Sequence, residues 1–146
     1  MNPNDVLMGA YRRVVSPKVS EPKKSTGHAI SQLIERAFAT RNLTHFAHWA
    51  SDSYSQHEAL GDIYETIVEK IDEVVEVYQG KFGIIQGLSS IGGRLPADII
   101  KHIEAESAWL TKNKTKIANG CDAVSALLDE LEACYLKAIY KLKNLK

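Results

Sequence analysis

Cysteine is almost missing from this 146-residue chain: Cys121 and Cys134 are too few for a disulfide framework and form no CxxC metal or redox pair. They read as reduced thiols. No apolar run approaches the roughly 18 residues that cross a bilayer, and the opening MNPNDVLMGAYRRVV lacks the long apolar stretch of a secretory signal. A soluble, cytoplasmic protein with no membrane partner is expected. Proline is scarce too, and Pro3, Pro17 and Pro22 all fall in the first 25 residues. Those residues show no sustained period and read as an N-terminal arm, which leaves 26–146 as one compact domain.

Net charge is also absent, because 18 basic residues balance 18 acidic ones. The balance is uneven along the chain. Residues 1–27 carry five cations against two acids, and residues 137–146 add four lysines and no acid, so the body between them is acidic. Basic ends can grip phosphate backbones without reading bases, although ends this sparse serve equally well as solubilising tails.

What is abundant is helical periodicity. From the cap candidates Ser25 and Thr26 a helix is expected to about Ala50, with Ile30, Leu33, Ile34, Ala37, Phe38, Phe46 and Trp49 facing inward. Ser51 to Ser53 break it. A second helix over 54–79 steps Leu60, Tyr64, Ile67, Ile71, Val74 and Tyr78 by threes and fours and is expected to stop at Gly80. Residues 80–95 hold five of the nine glycines and match no phosphate-binding loop, so they read as a connection. Pro96 suits the first turn of a third helix, which runs to Ala118 through Ile99, Ile100, Ile103, Leu110 and Ile117 until Asn119-Gly120 stops it. A fourth helix over 121–144 aligns Val124, Leu127, Leu128, Leu131, Tyr135, Ala138 and Leu142, with Cys134 beside that face.

Four long helices make an all-α, four-helix bundle. Short first and last connections imply antiparallel hairpins. The middle one can extend to about 53 Å at about 3.3 Å per residue, enough to join two parallel helices by a long crossover between helices 2 and 3, the ferritin-like connectivity. An up-down bundle with a loose loop fits the same pattern. Trp49 and Trp109 lie beside apolar neighbours and read as packing anchors. No Ser-His-Asp or Cys-His arrangement can be argued from spacing, and Cys134 on a core face is a poor nucleophile.

The chemistry-bearing stretch is HFAHWASDSYSQHEALGDIYETIVEKIDEVVE, residues 45–76, with three histidines in 13 positions followed by many carboxylates. Glu58, Asp62, Glu65, Glu69, Glu73 and Glu76 lie roughly opposite the apolar stripe, as on any solvated helix. His45 and His48 can equally be polar residues near a helix end. Helical projection, however, gathers His57, Val68, Val75, Asp72 and Glu76 on one edge beside the core stripe. His57 and Asp72 are 15 residues apart, about 22 Å along the axis, and cannot hold one ion within a chain. An antiparallel pair of these helices about a two-fold axis brings each His57 near Asp72 and Glu76 of its neighbour, and the hairpin turn brings His48 alongside. Two imidazoles and two carboxylates suit iron or another first-row divalent metal.

Here the sequence resembles the Dps family, the mini-ferritins or DNA-binding proteins from starved cells. LTHFAHWAS followed by HEALGDIYETIVEKIDEVVEVYQG is similar to that family's HW segment, its HE-initiated second helix and its ferroxidase segment. The resemblance implies Fe(II) oxidation by peroxide or dioxygen at intersubunit sites that hold one iron or two, and storage of ferric iron in a homo-oligomeric cage. His48, His57, Asp72 and Glu76 would be the catalytic metal ligands. The sequence departs from the family at Gly61, where an aspartate is usual. Asp62 is adjacent and would substitute only on a distorted helix. Two alternatives stand beside this reading: a degenerate bundle with a structural or interaction role, and a non-specific DNA-binding assembly.

Overall fold

The computed structural model describes residues 26–90 and 92–146, which form four α-helices and no strand. The arm expected over 1–25, with the cap candidate Ser25, lies outside the described residues.

Helix α1 spans Thr26–Ala50, α2 Tyr54–Phe82, α3 Ile99–Ala118 and α4 Asp122–Asn144. Their ends follow local chemistry. Ser53 is extended and its side chain accepts from the Gln56 N–H, capping α2. At the far end α2 passes through Gly80 and stops at Gly83, whose φ of 89° ends the helical conformation. Glycine permits a stop but does not force one, so the helix outruns its expected end. Asp98 caps α3 by accepting from the Lys101 N–H at 3.1 Å, which leaves Pro96 two residues ahead of the cap rather than in the first turn. Asn119, left-handed at φ 47°, and Gly120 at φ 78° end α3 as expected.

Side-chain pairings give the topology. Lys70 reaches Glu130 while Asp62 pairs with Lys141, so α2 and α4 are antiparallel neighbours. Arg36 to Glu106 and Thr40 to His102 set α1 antiparallel to α3. Lys114 to Asp129 and Glu104 to Lys143 do the same for α3 and α4. His48 against His57 and His45 against Tyr64 align α1 with α2. It follows that α2 and α3 point the same way across the diagonal. The segment joining them runs along α1, with Ser89 hydrogen-bonded to Glu35 and Gly93 beside Leu43.

The core is apolar and continuous, from Ile30 and Leu33 through Ile67 and Ile71 to Leu128, Leu131 and Tyr135. Burying a large apolar side chain contributes about 1.5–3 kcal/mol, so this interior is the main source of stability. At the C-terminal half of α1 the expected inner residues are wrong: Phe38 and Phe46 are exposed, and Trp49 is 67% exposed. Stepping by threes and fours from Ile30 leads instead to Thr40, Thr44 and Ala47, which are buried. The threonines fit because Thr44 donates to the Thr40 carbonyl at 2.8 Å and Thr40 bonds the His102 ring at 3.1 Å. Trp109, by contrast, packs against the core and carries the Arg36 guanidinium 4.7 Å from its ring centre.

Candidate functional site

The corner where α1 turns into α2 holds a mutual histidine lock. His48 Nδ1 lies 2.7 Å from the His57 carbonyl oxygen, and His57 Nδ1 lies 3.0 Å from the His48 carbonyl oxygen. A carbonyl only accepts, so both Nδ1 atoms carry the proton and donate. In the neutral rings this leaves each Nε2 as the basic nitrogen, the arrangement a metal-binding histidine needs. The two rings stack at 3.6 Å between centroids with 27° between planes. The three-residue turn supplies the reach: Ser51 Oγ donates to the Ser53 carbonyl, which tightens it and lets the two helix ends approach.

Gly61 is part of the lock. A Cβ there would lie 3.4 Å from His48 Cε1 and 3.5 Å from Nδ1, so the imidazole rests directly on this bare stretch of α2. Around it, His45 stacks on Tyr64 at 3.9 Å and meets Trp49 at 4.2 Å. The Arg41 guanidinium lies 5.6 Å from the Tyr64 ring centre. Loss of hydration in this setting is the largest cause lowering the His45 pKa, with Arg41 and His48 adding to it and Glu65 opposing.

The acidic residues lie elsewhere. Asp72 and Glu76 are exposed on α2, respectively about 22 and 28 Å along the axis from His57. Asp62 is bound to Lys141 and lines a groove of about 200 Å³ between α2 and α4, with Thr66, Cys134 and Lys137. It does not join the histidines. Among the described residues, no three His, Cys, Asp or Glu side chains come together as a metal site. Burial pushes the Cys134 thiol up to about 11, against the pull of Lys137 and Lys70, so it is not a thiolate at neutral pH.

A polar cluster between α1 and α3 escaped the sequence reading. Arg36 grips Glu106 bidentately at 2.8 and 3.1 Å, and Glu106 is only 8% exposed. Their positions on the inner stripes of two helices were the available signal: an acid at 106 falls between the buried Ile103 and Leu110 at helical spacing.

No curated protein and no solved structure matches the chain. Residues 48–142, from the first histidine of the lock nearly to the end of α4, match a protein family. By that match the chain belongs to DUF5856, a family of unknown function.

Proposed function

We propose that the protein is a ferritin-like bundle of Dps type that takes Fe(II) as substrate at sites between two-fold-related copies, oxidises it and stores ferric iron in an oligomeric shell. One observation carries the reading: His48 and His57 sit together with Nδ1 committed to carbonyls, each keeping Nε2 for a metal. The missing carboxylates come from a neighbour, because Asp72 and Glu76 lie too far along α2 to reach His57 of their own chain. An antiparallel neighbour brings them level with it.

Three further features support this. The parallel arrangement of α2 and α3, joined along α1, suits a ferritin-like crossover. The exposed Phe38, Phe46 and Trp49 give α1 an apolar outer side suited to a second copy. The exposed acids along α2, among them Glu58, Glu65, Glu69, Asp72 and Glu76, draw cations toward it. By resemblance the oxidant is peroxide or dioxygen, the setting cytoplasmic.

Fe(II) oxidation followed optically tests the assignment, with wild type against a His57→Ala, Asp72→Ala double variant. A severalfold slower reaction in the variant is expected; equal rates remove these residues from the site. Gly61, at the position where the Dps family usually has an aspartate, favours a second reading in which the bundle keeps its interface but serves a structural role. Equilibrium dialysis separates the two, since absence of Fe(II) or Zn(II) uptake at micromolar metal selects the structural role. The DNA-binding alternative rests largely on residues 1–25. It requires a salt-sensitive gel shift that disappears when residues 1–24 are deleted.

A further inference from the structure

We propose that the groove between α2 and α4 binds a short-chain monocarboxylate, its apolar chain lying on Ala59, Ile63 and Ala138 and its carboxylate meeting the Lys137 ammonium. This groove is separate from the histidine corner, and the proposal stands whether or not the iron chemistry does.

Space, surface and charge converge on that ligand. The residues at 59 and 138 are alanines on the inner sides of α2 and α4, and between the two helices a volume of about 200 Å³ is left that larger side chains would fill. A cavity of about 150 Å³ holds benzene. By that measure the groove takes a body of about eight heavy atoms, a small molecule rather than a peptide or a second helix. Ala59, Ile63 and Ala138 are each at most 4% exposed and make its floor apolar. Moving methylene groups from water onto that floor favours binding.

Charge selects the head group. Asp62 at the rim is engaged by Lys141, so these two cancel. Lys137, four residues before Lys141 on the same wall, is exposed and has no acid partner among the described residues. Thr66 donates its proton to the Asp62 carbonyl at 2.7 Å and is left only able to accept. The lining thus carries one uncompensated positive charge beside an apolar floor. Its field reaches into the groove, since Lys137 opposes the upward push that burial gives the Cys134 thiol. A single carboxylate balances that charge. A dianion such as phosphate brings a second charge with no cation to meet it and leaves the floor uncovered, while an alkylammonium is repelled.

Ligand-observed NMR titration of the full chain tests this at any assembly size, with hexanoate as the probe and 1-hexanol and hexylammonium as comparators. Saturable hexanoate binding is expected, at least fivefold tighter than that of either comparator. Lys137→Gln, at an exposed position, should weaken hexanoate at least fivefold and leave hexanol unchanged. Thr66→Phe, at the half-buried rim, fills the groove and should abolish binding of both. Hexanoate that binds Lys137→Gln as tightly as wild type overturns the role of the ammonium. Binding that survives Thr66→Phe overturns the groove as its place, and no saturable hexanoate binding to wild type overturns the proposal outright.

Discussion

His48 and His57 each donate a ring N–H to the other's backbone carbonyl, so two side chains from opposite helices close the α1–α2 turn from both sides. A hydrogen bond of this kind contributes about 0.5–1.5 kcal/mol, and the stacked rings add to it. His57→Ala removes one bond and the stack together. It is expected to lower stability by about 1–2 kcal/mol, read as a shift in urea midpoint at unchanged slope. A loss below about 0.5 kcal/mol would mean that the lock does not hold the turn.

Gly61 is a helix-interior glycine, and such residues are less favourable than alanine by about 0.5–1 kcal/mol. The Cβ of Gly61→Ala would sit at ordinary contact distance from His48, 3.4 Å at the closest. The variant should therefore gain up to about 1 kcal/mol, or about 3 °C in Tm. Gly61→Leu must push the ring off its carbonyl and should fall below wild type. Thermal unfolding of the two variants beside wild type checks the ordering.

Arg36 neutralises a carboxylate that is almost fully buried, and removing the cation strands that charge. Arg36→Ala is expected to cost about 2–3 kcal/mol, below the roughly 3–5 kcal/mol of a fully buried pair because Arg36 is itself part-exposed. Replacing both partners, Arg36→Met with Glu106→Leu, should recover most of that loss. Chemical denaturation of the single and double variants measures the difference. A double variant as unstable as the single one would show that the pair contributes beyond its own neutralisation.

His102 lies half-buried against Thr40, with Arg36 and Glu106 close by. Burial is the chief cause lowering its pKa below 6.5; Glu106 opposes the shift and Arg36 adds to it. The unfolded chain then binds the proton more readily than the fold, so stability rises with pH across this window. This contribution is full above about pH 6.5 and is lost as the pH falls from there through the folded pKa. His102→Gln should flatten that part of the stability profile, measured by denaturant titration between pH 7.5 and 5. An unchanged slope would assign it to other groups.

Helix number and most of the core were legible because spacing by threes and fours is a one-dimensional signal that survives folding. Ile67, Ile71, Val74, Leu128 and Leu131 are buried as their period implies. The aromatic residues of α1 were misread because size and apolarity suggested an interior place, whereas helical phase carried Thr40 and Thr44 inside. Tyr64 shows the same limit at an edge: it continues the apolar stripe yet is half-exposed under His45.

The sequence by itself determined the helices, their breaks at Ser51–Ser53 and Asn119-Gly120, and the closeness of His48 to His57, since a three-residue turn leaves few ways to separate them. Only the tertiary structure decided which ring nitrogens are committed, where Asp62 turns, and what the bare backbone of Gly61 accommodates. The physical reason is reach. Periodicity sets the direction in which a side chain leaves its own helix, but the partner it meets depends on the angle and height of a second helix, and those follow from packing of the whole core.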